Sequence, residues 1–396
     1  MTRPRLTRSA ATGLAACTGA MIALTGCVPN APQSDSASAH AIAVTLNDSR
    51  CSVDTAKTAA GTITFQITNT GTEVNEFEIL ASDKLRIAGE KENVTPGTTV
   101  NYVVQLTQGS YFTACKKGMV GSPTSVTAFT VTAGSGTTSI ASDSNAVKQA
   151  VTNYTAYVRD QTGQLLVATE SFARAYEAND DETARAQYAT ARMHYERIEP
   201  TAEQFGTIDP ALDLREKDLE TGDTWTGWHR IEKDLWPPAG YTSSDAATRA
   251  TLGAQLVSDT RKLNTLVNAE DFHLTLDQIS NGASGLMEEV ATSKITGEEE
   301  AFSHTDLWDF TANVEGAEVA YGTVKDILAA KNSTGKALAA TLDTRFATID
   351  ALLKKYTSGT GYELYTDLTS AQVKELSDAV NALSEPLSRL TEVLVK

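Results

Sequence analysis

Positive charge is scarce in this sequence: 33 lysines and arginines stand against 50 aspartates and glutamates, which gives a formal net charge of -17. A chain this acidic is repelled by nucleic acid phosphates and by anionic lipid headgroups. The composition therefore argues against nucleic acid as a partner. Apart from simple solubility, it suits a protein that collects cations.

Long hydrophobic runs are missing after residue 24. The one apolar stretch, Ala10 to Leu24, is short for a membrane span and follows an N-terminus with three arginines and no acid. This pattern predicts a secretory signal peptide over residues 1–26. It ends in Leu-Thr-Gly-Cys27, which resembles a bacterial lipobox. We therefore expect Cys27 to be lipidated and the protein to be lipid-anchored at the outer face of the bacterial cytoplasmic membrane. The alternative is an ordinary secreted protein.

Cysteine is also scarce, with four in the chain. Cys17 lies in the predicted signal peptide and Cys27 at the lipidation position, which leaves Cys51 and Cys115 in the mature body. Two cysteines in an oxidising compartment most often form a disulfide. The competing interpretation is that both are thiolate ligands of a soft metal.

The composition and periodicity of the rest of the sequence divide the chain into several segments, so we expect a multidomain protein. Residues 27–40 are rich in proline, serine and alanine, and we interpret them as a flexible tether. Residues 41–131 contain short β-branched runs between turn residues, which predict an all-β sandwich. After a linker at 132–141, apolar residues of 142–396 recur every three to four positions. This period predicts an all-α helical bundle.

Two pairs of polar residues in the helical part have the spacing of neighbours on one helix face. His229 and Glu232 are three residues apart, as are Glu196 and Glu199. The glutamates lie near a helix C-terminus, where the helix dipole disfavours negative charge. They need a nearby cation, which Arg192, Arg197 or a metal ion could supply. A histidine with several carboxylates suits iron, manganese or zinc.

Several longer segments, in this order, resemble the EfeO proteins of bacterial iron uptake. They are YERIEPTAEQFGTIDPALDLREKD, TWTGWHRIEKDLW and KITGEEEAFSHTDLWDFTANVEGA, which start at Tyr195, Thr224 and Lys294. EfeO proteins belong to a wider imelysin-like group marked by Gly-x-His-x-x-Glu, here Gly227 to Glu232. The resemblance covers essentially all of residues 41–396. It implies that the N-terminal sandwich is cupredoxin-like.

The resemblance implies an extracytoplasmic iron-binding protein rather than an enzyme. Its cargo would be Fe3+ or Fe2+, with zinc or copper possible, and its partners a membrane iron permease and a haem peroxidase. The implied ligands are Glu196, Glu199, Asp213, His229 and Glu232. The alternative is an imelysin-like zinc metallopeptidase. That alternative is weakened because the sequence has no His-Glu-x-x-His motif.

A second metal site in the sandwich is implied at Cys51, Glu76, Cys115 and Met119. A blue-copper site is not expected, because such a site needs two histidines and this domain has only His40 at its edge. A Cys51–Cys115 disulfide would remove both thiolates, and we favour the disulfide.

A further acidic patch could form at His304, Asp306 and Asp309, together with Glu298 to Glu300. The same stretch also has the pattern of a helix start capped by Ser303 or Thr305. We prefer this second interpretation.

Overall fold

The computed structural model describes residues 41–119, 121, 123–133 and 144–395. The predicted signal peptide, the lipidation position Cys27, the tether and most of the linker lie outside the described residues. Among the helices that are described, none has the length and apolar character needed to cross a membrane.

The first part of the described chain is a sandwich of two β-sheets. Its strands are β1 (Ile42–Asn47), β2 (Arg50–Val53), β3 (Lys57–Ala59), β4 (Gly61–Asn69), β5 (Asn75–Leu80), β6 (Ile87–Val94), β7 (Thr99–Leu106), β8 (Gly109–Lys117) and β9 (Thr124–Thr132). One sheet has the order β2-β1-β4-β7 and the other the order β3-β9-β8-β5-β6. Pairing is antiparallel except for β1 with β4 and β3 with β9, which are parallel.

Alternating apolar residues form the core between these sheets. In β1, residues 42, 44 and 46 are buried and the positions between them are exposed, which is the period of a half-buried strand. The rings of Phe65, Phe77 and Phe129 meet in the core with centroids 5.2 and 5.8 Å apart. Cys51 in one sheet and Cys115 in the other are joined by a disulfide, with Cα atoms 6.0 Å apart.

The rest of the described chain is helical. The α-helices are α1 (Asn145–Glu177), α2 (Asp181–Glu196), α3 (Glu199–Glu203), α4 (Ile208–Asp213), α5 (Gly227–Leu235), α6 (Ala246–Val267), α7 (Leu276–Thr292), α8 (Asp306–Lys331), α9 (Ser333–Leu353), α10 (Ser370–Leu387) and α11 (Leu390–Val395). Short 3-10 turns lie at Glu216–Asp218, Lys294–Thr296, Lys354–Tyr356 and Tyr365–Asp367, and a minimal hairpin pairs Thr357–Ser358 with Gly361–Tyr362. The predicted fold class, an all-β sandwich followed by a helical bundle, is confirmed.

Local capping sets where several helices begin. Ser144 caps α1 through a hydrogen bond from the backbone N–H of Val147. Capping boxes start α7 at Thr275 and α10 at Thr369, each with a glutamine three residues later. The long helices α1, α2, α6, α7 and α8 pack around one hydrophobic core. Between α2 and α6 the chain instead makes the short helices α3, α4 and α5, and these carry the polar residues of interest.

Candidate metal centre

The candidate centre lies where the end of α2, the helices α3 to α5 and the start of α8 meet. Its members are unusual because they are charged and yet almost fully buried. They are Arg192, Glu196, Glu199, Asp213, His229, Glu232, Lys294, Glu299, Glu300 and Asp309. Burying charged groups is costly unless each finds a partner of opposite charge or binds a metal ion.

His229 stands at the middle of this cluster. Its Nδ1 donates a hydrogen bond to Oε2 of Glu232 at 3.2 Å. Its Nε2 lies 3.4 Å from Oδ1 of Asp213 and 3.6 Å from Oε1 of Glu299, yet it is buried and has no hydrogen-bond partner among the described residues. A buried ring nitrogen that faces two carboxylates in this way is suited to binding a cation.

Glycine at the start of α5 allows His229 to approach Asp213. Gly227 has a φ of +85°, and a Cβ atom there would lie 2.2 Å from the carbonyl oxygen of Leu212. Leu212 precedes Asp213 at the end of α4, so the glycine lets the two helix ends touch. Trp228 anchors the same turn because its buried ring packs 4.9 Å from Phe172.

Glu232 positions the imidazole and the loop before α8. Its Oε1 accepts hydrogen bonds from the backbone N–H groups of Phe302 and Ser303 at 2.8 and 2.6 Å. Its Oε2 accepts the Nδ1 proton of His229. Because a carboxylate fixes Nδ1, Nε2 is the atom that could bind a metal in place of its proton. Glu232 therefore acts through His229 and both of its oxygens are engaged.

Arg192 neutralises one set of carboxylates in the centre. The fully buried guanidinium ion-pairs with Asp213, Glu196 and Glu300. Asp309 lies 3.7 Å away, and neither of its oxygens has a hydrogen-bond partner in the described part of the chain. These carboxylates hold the pKa of Arg192 well above its ordinary value, although burial acts in the opposite direction.

Lys294 neutralises a second set of carboxylates, which shares Glu196 with the first. Its Nζ is fully buried and lies 2.8 Å from Oε2 of Glu196 and 2.8 Å from Oε2 of Glu199. Asn313 in α8 donates to the same two oxygens at 3.1 and 3.3 Å. Glu289 and Glu299 are 3.6 and 3.9 Å from the ammonium group. Four carboxylates thus surround one lysine.

The charges around His229 shift its pKa upward. Burial and the Arg192 guanidinium lower the pKa of His229, but contacts with Asp213, Glu232 and Glu299 more than reverse this and raise it to about 10. For Asp213, burial raises the pKa, whereas Arg192 and His229 together bring it below its ordinary value. Asp213 is therefore ionised, and a metal ion would take the position of the proton on Nε2 of His229.

The residues implied by the family resemblance lie in this one cluster, but they have different surroundings. Asp213 and His229 face a common point with Glu299, whereas Glu196 and Glu199 face Lys294 and Glu232 lies behind the imidazole. One of the cations predicted near the glutamate pair is present, because Arg192 pairs with Glu196. Arg197 instead pairs with Glu315 at 2.7 Å.

Sequence reasoning did not place Glu299, Glu300 and Lys294 in the centre. They lie in a 3-10 turn and loop some 60 to 100 residues away from His229 and Glu196, with no helical period to fix their direction. The only available signal was the run of three glutamates from Glu298, which is exposed at its first position and buried at the next two.

The residues implied for a second site in the sandwich do not converge. In the pairing of β5 with β8, Glu76 is opposite Lys116 and Phe77 is opposite Cys115, so Glu76 and Cys115 point to opposite faces of the sheet. Both cysteine sulfurs are in the disulfide, so neither can act as a thiolate. The Met119 sulfur accepts a hydrogen bond from the backbone N–H of Asn93.

The stretch around His304 is a helix start. Helix α8 begins at Asp306 with Thr305 as its N-cap residue, but no side chain caps the helix by a hydrogen bond. Ser303 donates instead to Glu300 at 2.8 Å. His304 does not join the cluster, whereas Asp309 faces Arg192.

Comparison with known proteins agrees with this architecture. A family model described as Imelysin matches residues 150–390, and one described as a Cupredoxin-like domain matches residues 17–128. Two curated relatives are named Iron uptake system component EfeO, one from Yersinia pestis and one from Escherichia coli K12. Each is 36% identical over 89% of this chain and 91% of the relative. These matches confirm the family resemblance and support a role in iron uptake.

Proposed function

Because this chain belongs to the imelysin family and to its EfeO iron-uptake members, we propose that it binds iron outside the cytoplasmic membrane and passes it to a membrane iron permease. The observation that carries the proposal is the buried Nε2 atom of His229, which has no hydrogen-bond partner among the described residues and faces Asp213 and Glu299. The protein is a transport component in this proposal and not an enzyme.

The spacing of these three atoms supports metal binding. Ligand atoms that bind one ion at about 2.1 Å lie roughly 3.0 to 3.4 Å from each other. The separations of 3.4 and 3.6 Å from Nε2 to the two carboxylate oxygens are close to this range. Two oxygens and one imidazole nitrogen form a hard to borderline ligand set, which favours iron, manganese or zinc over copper(I).

The surrounding residues would make the bound ion exchangeable. Arg192 and Lys294 already neutralise part of the negative charge, so the centre does not depend on a metal ion to exist. A carrier that hands its cargo on needs such a moderate affinity. In this proposal the lipid on Cys27 anchors the protein beside the permease, and a haem peroxidase is the further partner.

The test is a calorimetric titration with Fe2+ under anaerobic conditions. We expect the wild-type protein to bind a single ion per chain and both His229→Ala and Glu299→Gln to lose that binding. His273→Ala is the matched control because His273 is exposed and lies outside the cluster. Wild-type affinity in His229→Ala would contradict the proposal.

The geometry does not favour a zinc metallopeptidase at the same site. Such an enzyme needs a general base beside the ion. Glu232 is not free to be that base, because its two oxygens accept hydrogen bonds from His229, Phe302 and Ser303. The alternative base, Glu196, is paired with Arg192 and Lys294. Peptide cleavage by the zinc-loaded protein, lost in His229→Ala, would instead support hydrolysis.

A further inference from the structure

Lys294 stands where a cation shared by Glu196 and Glu199 would stand. It follows α7 in the 3-10 turn Lys294–Thr296, and its ammonium group points into the cluster with no exposure to solvent. The oxygen atoms that face it, Oε2 of Glu196 and Oε2 of Glu199, lie at the same distance of 2.8 Å.

The same lysine is also close to the proposed iron ligands. Oε1 of Glu299 lies 3.6 Å from Nε2 of His229 and 3.9 Å from Nζ of Lys294. An ion bound by this oxygen would therefore lie a few ångströms from a second positive charge. In a buried environment that repulsion is large, because low polarisability and the absence of solvent weaken screening.

We propose that Lys294 is an internal cation that competes with the cargo metal: it occupies the Glu196–Glu199 pair, restricts the protein to a single ion at His229 and weakens the binding of that ion. This inference rests on the proposed function of the centre in iron binding. Lys294 and a metal ion are thus alternative occupants of the glutamate pair, and the lysine is a specificity-determining residue.

Lys294 is surrounded by more carboxylates than one ammonium group needs. One carboxylate suffices to neutralise a buried ammonium group, but Lys294 has four carboxylates within 4 Å. Asn313 donates to the two nearest oxygens as well, which fixes the glutamate pair independently of the lysine. The pair is therefore expected to keep its geometry when another cation replaces the ammonium group.

The experiment compares wild-type protein with Lys294→Met by anaerobic Fe2+ titration and by thermal unfolding. Methionine has a similar length but no charge. We expect Lys294→Met to bind a second ion and to bind its first ion at least about tenfold more tightly. Without metal the variant should unfold at a lower temperature than the wild type, and Fe2+ should restore that loss. Lys262→Met is the matched control, because Lys262 is mostly exposed and pairs with Asp259 on α6.

The outcomes separate this inference from the proposed function. The double variant His229→Ala, Lys294→Met should retain a single ion, held by the glutamate pair. If the wild type binds one ion and Lys294→Met binds one with unchanged affinity, Lys294 is only a structural counter-ion and the inference is wrong. A Lys294→Met protein that fails to fold even with Fe2+ contradicts it too, because a metal would then be unable to replace the lysine. If neither the wild type nor Lys294→Met binds Fe2+, it is the proposed function that fails.

Discussion

At the scale of single residues, the three-residue spacing of His229 and Glu232 does set an imidazole beside a carboxylate, with 3.2 Å between Nδ1 and Oε2. The spacing does not reveal that the two residues have different roles. Glu232 accepts from two backbone N–H groups of a loop 70 residues further along the chain, so it holds both the imidazole and that loop in place. In the proposed iron site, the opposite nitrogen would be the one that binds the metal.

Another residue of α5 gives a test of the electrostatics in this region. Tyr176, Tyr241 and Ser244 donate hydrogen bonds to the buried Asp234 carboxylate, and Arg230 forms an ion pair with it. Burial raises the pKa of Asp234, but these donors outweigh it and lower the pKa to about 2.

The ionised form of Asp234 is therefore stabilised in the folded state. Since the folded pKa lies below the ordinary value of 3.8, this stabilisation is complete above about pH 5 and is lost as the pH falls towards 2. We expect urea unfolding to show that the difference in unfolding free energy between wild type and Asp234→Asn shrinks by about 2 kcal/mol over that range. The exposed Asp271→Asn is the control. A pH-independent difference would show that the donors do not act on the charge.

At the scale of secondary structure elements, the centre depends on the close approach of α4 and α5. Gly227 permits it with a left-handed backbone conformation and no side chain. An alanine would meet the Leu212 carbonyl at 2.2 Å and would also be strained at a φ of +85°. The two helix ends would have to separate, which moves His229 away from Asp213.

We therefore expect Gly227→Ala to lose Fe2+ binding and to reduce the free energy of unfolding by about 2 kcal/mol or more. Gly163→Ala in α1 is the matched control, because nothing lies within 4 Å of its Cβ position. That variant should keep its metal and be slightly stabilised, since alanine favours the helix. Calorimetric titration and chemical unfolding measure both effects. Retention of wild-type metal affinity in Gly227→Ala would show that the close approach is dispensable.

The sequence predicted most long elements because their apolar periods are strong. The strands β1, β4, β5, β7, β8 and β9 and the long helices fall where those periods lie. Strand β6 has no such period, since IAGEKENV has charges at three of its eight positions and resembles a loop. Its Glu90 lies near the charged groups of Glu92, Glu78 and Lys116. Burial is the main cause that raises the pKa of Glu90 to about 8. Long-range burial of this kind leaves no local sequence pattern.

At the scale of the whole molecule, the buried residues on the outer face of the second sheet indicate that the sandwich is packed against the rest of the chain. Glu76 and Glu78 in β5 are both about 1% exposed, and Lys116 is their common partner at 3.4 and 2.9 Å. A carboxylate-bearing sheet face would be solvated in an isolated domain. The division into two halves was predictable from the change of period, whereas the extensive contact between them was not.

Helix α7 makes much of this contact. The Asp277 carboxylate accepts a hydrogen bond from the backbone N–H of Gln105 in β7 at 2.7 Å, and Asn281 donates to the carbonyl of Val103 at 3.1 Å. Lys91 in β6 also pairs with Glu288 at the other end of the helix. The sandwich is thereby fixed along α7, the helix that leads directly into Lys294.

This continuity predicts that the two halves unfold together and that Asp277 contributes to their coupling. Asp277→Ala leaves the Gln105 N–H without its acceptor, and a partly buried unpaired donor costs about 1 to 3 kcal/mol. We expect calorimetry to give one unfolding transition for the wild type, and a lower or split transition for Asp277→Ala. Fe2+ should raise the unfolding temperature of the single wild-type transition and, where the variant's transition splits, of its helical component, because the metal binds only the folded centre. The exposed Asp271→Ala should match the wild type. Two independent transitions in the wild-type protein would mean that contacts along α7 join the halves without coupling their stability.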